Sequence, residues 1–284
     1  MKNILVISVF SLICFNTQAQ FDIDPGKIID KMFGTPVESD RPGQAMNPNT
    51  AGILTLQLQT GFNYTSFNAD KIYQFKNYGV PTQIRLGITK KIELNTSFSY
   101  NYSRHMSSSF DTTFSGFPSP NLGIRYNPYD GDRWKPYLGF QANLSFLSHK
   151  GDYRQQNFGS SFYVMTSNRF EVVSFNTNLG VVFQGNDLMQ PAFPWVLNFG
   201  FKIGKKWNTF IEGFGDFSNL DLNADAGFSY TPINDLQIDL FGGWLGDNFA
   251  DPYWFIEGGI TYKISFMKMI AKKKAKGFLD QMKN

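Results

Sequence analysis

The feature that most constrains this chain is a strict two-residue alternation, clearest over residues 254–266. Ile256, Gly258, Ile260, Tyr262, Ile264 and Phe266 fall on one side, which is apolar or small. Glu257, Gly259, Thr261, Lys263 and Ser265 fall on the other, which is polar. Side chains alternate across a strand, so this period belongs to a β-strand with one wet face and one greasy face. The segment ends on an aromatic, as the closing strand of a bacterial outer-membrane barrel does. Whether it closes such a wall depends on how often the rest of the chain repeats the pattern.

The pattern recurs from Leu54 onward. Leu54, Leu56, Leu58, Phe62 and Tyr64 alternate with Thr55, Gln57, Gln59, Gly61 and Asn63. Strands are expected near 54–64, 80–89, 92–102, 121–126, 138–146, 158–166, 173–183, 195–203, 207–217, 222–230, 236–244 and 254–266. The sixth has the weakest pattern. The ninth has an ambiguous phase, because Phe210 and Phe214 share a face with Glu212 and Asp216.

Connections near 66–79, 105–118, 147–157, 184–193 and 245–253 are long, whereas those at 89–92, 127–134, 166–170, 204–207 and 231–235 are tight. Without a strand at 158–166, long and tight ends would fall out of phase after the fifth strand. Bacterial barrels also favour even strand numbers, long outer loops and short periplasmic turns. The expected fold is therefore all-β, a transmembrane antiparallel up-and-down barrel of about 12 strands.

A soluble barrel also alternates, with its apolar face inward, so the period leaves the direction open. Three features point the apolar face outward. The polar face is rich in Gln, Asn, Ser and Gly, which suits a wet lumen. Trp134, Tyr137, Trp195, Trp207, Tyr253, Trp254 and Phe266 sit at strand ends, where interfacial girdles form. Residues 1–19 read as a secretory signal, with Lys2, an apolar core over 4–15 and small residues before Ala19. The mean hydropathy of −0.26 is too polar for a helical membrane protein but compatible with strands that face lipid with every second residue. Location in the outer membrane follows, with outer-membrane lipids and a small-molecule solute as partners and a monomeric state expected.

The ends frame the barrel. Residues 20–52, punctuated by Pro25, Pro36, Pro42 and Pro48, form a periplasmic arm or partial plug. The barrel spans 53–266. Residues 267–284 are a basic periplasmic tail with Lys268, Lys272, Lys273, Lys274, Lys276 and Lys283, and with apolar residues spaced for an amphipathic helix.

Ser39-Asp40-Arg41-Pro42-Gly43, Arg85-Leu86-Gly87-Ile88-Thr89-Lys90-Lys91-Ile92-Glu93-Leu94, Gly200-Phe201-Lys202-Ile203-Gly204-Lys205-Lys206, residues 223–239 and the final strand carry a resemblance. Over about residues 38–266 the chain resembles the transporter-like outer-membrane barrel family associated with the MetA pathway of phenol degradation. These are strand and turn motifs, so the resemblance implies a fold more than a chemistry. It implies passage of small compounds, aromatic ones among them, through an outer-membrane barrel.

The inward charges expected to line the lumen and set its selectivity are Arg85, Glu93, Arg125, Lys202, Glu212, Asp225, Asp239, Glu257 and Lys263. Buried charges must pair or stay hydrated, so these form either a structural network or a polar constriction. Arg41 is the plug candidate, expected to dock on Asp225, Asp239 and Glu257. Phe241 and Phe255 stand among polar neighbours and hint at apolar solutes, or simply fill space.

Catalysis is not expected. The histidines are His105 and His149, both in expected outer loops, and His105 beside Ser107, Ser108 and Ser109 reads as a flexible loop tip. The single cysteine, Cys14, lies in the signal segment, which leaves no thiol chemistry in the mature chain. No metal cluster, cofactor motif or basic patch for nucleic acid stands out; the net charge is +3. The function expected is a channel or transporter for small solutes, with a non-conducting structural or surface-binding barrel as the alternative.

Overall fold

A computed structural model describes residues 36–69, 73–132, 134–147, 152–153, 155–219, 221–246 and 253–283. The expected signal segment, residues 20–35 of the arm and His149 lie outside the described residues. Fourteen strands are described: β1 (Thr55–Ala69), β2 (Tyr73–Gly87), β3 (Ile92–Ser107), β4 (Asp111–Gly116), β5 (Asn121–Tyr129), β6 (Tyr137–Ser145) and β7 (Gly159–Arg169), then β8 (Val173–Gln184), β9 (Asp187–Ala192), β10 (Pro194–Ile203), β11 (Trp207–Asp216), β12 (Asn223–Ile233), β13 (Leu236–Leu245) and β14 (Tyr253–Ser265). One helix, α1 (Phe266–Lys283), follows.

Twelve of these strands close into an antiparallel barrel. Each pairs with the next in the chain, β8 skipping β9 to reach β10 and β3 skipping β4 to reach β5. β14 returns to β1, in register from Thr55↔Ser265 to Ser66↔Trp254. Closure leaves no open edge, so every wall strand finds its backbone partners on both sides. The expected sixth strand is β7, paired along its length with both β6 and β8.

One end of the barrel, the turn end, carries the tight connections and α1. The other, the loop end, carries longer structure than the alternation suggested. β1 and β2 run on as a long hairpin, β4 folds back on the far half of β3, and β9 pairs with β8. In the extended β1–β2 hairpin the aromatics Phe67, Tyr73 and Phe75 lie on the lumen side, with Gln74 and Lys76 between them, so the phase that marks a lipid-facing strand is reversed there.

The wall has its greasy face outward. Leu58, Phe62, Ile124, Phe162, Phe199, Ile211, Phe228, Ile238 and Ile256 are all exposed. The buried side chains, by contrast, are mostly polar, among them Gln57, Gln59, Arg85, Glu93, Arg125, Asn178 and Thr261. This is the inverse of a soluble core. An apolar belt contributed by strand after strand is far larger than a soluble monomer tolerates and requires lipid. The phase of β11 is settled by burial: Phe210 and Glu212 face inward and Ile211 faces out.

Two residues assigned to the aromatic girdles are corrected. Tyr137 is in phase with inward Gln141, and its ring lies 4.7 Å from Arg169 Cζ. Tyr253 is in phase with inward Phe255 and stacks on Phe67 at 4.3 Å. Trp134, Trp207, Trp254 and Phe266 are exposed, as a girdle requires.

The barrel passes directly into α1. The Phe266 amide donates to the Leu54 carbonyl at 3.0 Å and closes the seam. The Ser265 hydroxyl then accepts the Lys268 amide at 3.4 Å in the manner of an N-cap. Lys268 Nζ lies 3.0 Å from Asp235 and ties the first turn to the β12–β13 connection.

Candidate functional site

Residues 36–52 do not pack outside the wall. They cross the lumen, and their contacts reach β1, β2, β3, β5, β7, β8, β11, β13 and β14. A Pro-rich segment suits this path, because it cannot use a sheet ladder and offers its backbone groups to side chains instead. Gly43 shows how close the approach is. Its φ is +90°, and a Cβ there would stand 2.9 Å from the Phe210 ring.

One wall of the lumen is basic. Arg85 on β2 donates to Glu93 at 2.8 and 3.0 Å, and to the carbonyls of Glu38 and Asn49 at 2.6 and 2.7 Å. Arg125 on β5 donates to both oxygens of Asp40, at 3.0 and 2.7 Å, and to Gln141. Arg169 on β7 forks onto Glu38 at 2.9 and 3.0 Å. Glu93 also accepts the Ala51 amide at 2.6 Å. Burial alone would raise the Asp40 carboxyl, but Arg125 and Arg85 outweigh it and hold it below the ordinary carboxylate range. Burial opposes Glu38 in the same way, and Arg169 with Asn47 and Arg85 brings it below that range.

The facing wall is acidic, with Glu212, Asp225, Asp239 and Glu257 on β11 to β14. Arg41 crosses to it. Its guanidinium donates to Asp239 at 2.8 Å and to Glu257, and sits 5.7 Å from the centre of the Phe241 ring. Glu212 accepts the amides of Gln44 and Ala45 at 2.5 and 3.0 Å and the Asn198 side chain at 2.9 Å. Asp225 is buried, and neither of its oxygens has an aligned hydrogen bond, although the Gln44 side chain lies beside it.

The arm divides the interior. A cavity of about 430 Å³ touches Arg41, Gln59, Gln83, Ser97, Asn101 and Asn121. A larger one of about 830 Å³ opens at the turn end, touching Arg41, Met46, Arg169, Lys202, Lys206 and Gln237. Arg41 borders both. An aromatic track lies toward the loop end. Phe210, Phe241 and Phe255 are buried, with centroids 6.2 and 5.9 Å apart in that order. Phe67, Phe75 and Tyr253 continue it, Phe75 lying 5.9 Å from Tyr253.

The expected lumen residues therefore separate into groups. Arg85, Glu93 and Arg125 form one network with the arm; Asp239 and Glu257 hold Arg41. Asp225 lies on the same wall, but no hydrogen bond joins Arg41 to it. Lys263 faces Asp235 at 3.7 Å, nearer the turn end. Lys202 keeps the inward register of β10 but is exposed at the rim. Residues that sequence reasoning did not single out are Glu38, Asp40 and Arg169. The signal for the first two was mixed charge within the Pro- and Gly-rich run next to Arg41; Arg169 was hidden in an expected turn. His105 lies in β3 rather than a loop, its Nδ1 2.6 Å from the Tyr73 hydroxyl.

This architecture is that of an outer-membrane β-barrel. No protein-family model matches the chain, and no curated protein does. Among solved structures, the chain is similar to an outer-membrane channel from Pseudomonas putida F1, with a TM-score of 0.59 at 10% identity, over 79% of this chain and 99% of that one. It is more distantly similar to a KdgM porin in complex with disordered oligogalacturonate (TM-score 0.47, 11% identity, 71% and 98% covered). Outer membrane phospholipase A from Escherichia coli is also similar (TM-score 0.42, 12% identity, 72% and 92% covered). The first likeness shows the fold; the other two add no argument to it.

Proposed function

We propose that this protein is an outer-membrane channel for small solutes, closed at rest by its own residues 36–52. The observation that carries this reading is the position of Arg41: it borders the cavities on both sides of the arm and anchors the arm to Asp239 and Glu257. A barrel of about 12 strands lies between the side-chain-filled barrels of about eight and the open channels of about sixteen. Its lumen holds a chain segment or a small solute, and displacement of the segment joins the two cavities.

In this reading residues 1–19 direct export, the turn end with α1 faces the periplasm, and the long hairpins face outward. The nine charged wall residues and Arg41 form the selectivity region. Aromatic compounds suit the track from Tyr253 to Phe210. The resemblance to the phenol-degradation barrel family points the same way. Purified protein in planar bilayers, challenged with small aromatic and polar solutes, tests the reading. Conductance or solute flux is expected. The absence of both, in the wild type and in a protein lacking residues 20–52, would leave the non-conducting structural barrel in its place.

A further inference from the structure

We propose that the acidic and aromatic wall of β11 to β14 is a binding site for small organic cations of the arylalkylammonium or alkylguanidinium class, part of which Arg41 occupies. The inference rests on the channel reading above and names the solute class for it.

The wall is built in two neighbouring rungs. Glu212, Asp225, Gly243 and Phe255 are paired across one; Phe210, Gly227, Phe241 and Glu257 are paired across the next. Acids and phenyl rings thus share one inward surface. Gly227 and Gly243 let Phe241 and Asp225 lie close against the wall, since a Cβ would stand 2.3 Å from Phe241 Cβ at the first glycine and 2.5 Å from Asp225 Cβ at the second.

The charges on the two sides of the lumen do not balance alike. On the basic wall Arg85, Arg125 and Arg169 are answered by Glu93, Asp40 and Glu38. On the acidic wall four acids face one guanidinium, and Lys263 is turned to Asp235. Glu212 is satisfied by three N–H donors, and Asp239 and Glu257 by Arg41. Asp225 is the remaining acid, 4% exposed, with both oxygens lacking an aligned donor. A buried acid without an aligned donor is costly to hold charged, and a cationic ligand would offset that cost.

Arg41 shows the binding mode in the chain itself. It presents a planar cation to two carboxylates, with a phenyl face at cation–π range. A solute with an ammonium or guanidinium head reproduces these contacts and adds Asp225. Its apolar body finds the track of Phe255, Phe67 and Tyr253. A neutral aromatic leaves Asp225 without a partner, and an anion is repelled.

The test is isothermal titration of the full-length protein in detergent with phenethylammonium chloride, against 2-phenylethanol and phenylacetate as neutral and anionic matches. Phenethylammonium is expected to bind at least about tenfold tighter than either match. Asp225→Asn is expected to weaken it by about tenfold. Arg41→Ala, which removes the resident competitor, is expected to tighten it. Phe241→Leu keeps an apolar wall without a ring, and also weakens binding. Heat-modifiable electrophoretic mobility checks that each variant is folded; if Asp225→Asn does not fold, the ligand comparison and Phe241→Leu decide. Equal binding of 2-phenylethanol, no binding to Arg41→Ala, or unchanged affinity in Asp225→Asn would overturn the proposal. The titration requires no conduction. A barrel that binds the cation but never conducts refutes the channel, whereas one that conducts but does not bind it refutes this site.

Discussion

Arg41 Nη2 donates to Asp239 Oδ1 at 2.8 Å, joining residues 198 positions apart in the chain. The Asp239 side chain is fully buried and the Arg41 side chain nearly so. A charge-assisted contact in such surroundings is stronger than one at a surface. It joins the arm to the acidic wall while Glu38 and Asp40 hold the basic wall. The arm is thus matched in sign to both sides of the lumen.

The lipid-facing assignment has a direct consequence. Phe199 is exposed near the middle of β10, in phase with Leu197 and Phe201. Phe199→Arg is expected to destabilise the barrel in liposomes by about 2–4 kcal/mol, the range for a cation near the bilayer midplane. Urea titration of folded and refolded protein in vesicles measures it. A loss below about 0.5 kcal/mol, the scale of a neutral surface substitution, would contradict the lipid face.

Arg85 is fully buried and bonded to Glu93 and to two arm carbonyls. Arg85→Ala leaves Glu93 and Asp40 short of a counter-charge. Breaking a buried pair on one side costs about 3–5 kcal/mol. The apparent melting temperature should fall clearly in Arg85→Ala. Glu93→Gln, which keeps an acceptor for Arg85 and for the Ala51 amide, should fall less.

The arm should also respond to acid. The carboxyls of Glu38 and Asp40 lie below their ordinary range in the docked arm, against the guanidinium groups of Arg169, Arg125 and Arg85 with Glu93 nearby. A free arm binds protons at about pH 4, a docked one only lower. Their contribution to docking is therefore complete above the ordinary range and is lost as pH falls through the lowered values. Conductance in planar bilayers should stay low from pH 7 to 5 and rise in stronger acid, below about pH 4. A rise already at mild pH would contradict this assignment.

The wall makes room for the arm at Gly139, where a Cβ would lie 2.7 Å from Pro48 Cα and 2.6 Å from its carbonyl oxygen. Gly139→Ala changes no charge but pushes a methyl group against the Pro48 backbone. It should loosen the arm, seen as faster limited proteolysis near Pro48 and higher conductance, with the barrel still folded. Unchanged proteolysis would show that the arm does not depend on this contact.

The wall was legible wherever one strand face meets lipid and the other the lumen. The alternation of Ile256, Ile260 and Ile264 with Glu257, Thr261 and Lys263 is enough to place β14 and its phase. The connection lengths located β7 when its own pattern was weak. Legibility ended beyond the lipid-facing zone: in the far halves of β1 and β2 the aromatics Phe67, Tyr73 and Phe75 switch to the lumen side, and among the described residues the short β4 and β9 pair only with β3 and β8. In the lumen, the inward charges could be named from parity alone, but their pairing could not. Arg85 finds Glu93 across the β2–β3 pair, a neighbour that register provides, whereas Arg125 finds Asp40 and Arg169 finds Glu38 through an arm with no periodicity. Tyr137 and Tyr253 were misplaced because position near a strand end outweighed their parity with Gln141 and Phe255.

The most direct test of the closed-channel account is the single-channel conductance of Arg41→Ala beside the wild type in planar bilayers at pH 7. Loss of the contacts to Asp239 and Glu257 should release the arm and raise conductance several-fold, while the barrel keeps its heat-modifiable mobility. Unchanged conductance together with unchanged thermal stability would contradict the role of residues 36–52 as the plug.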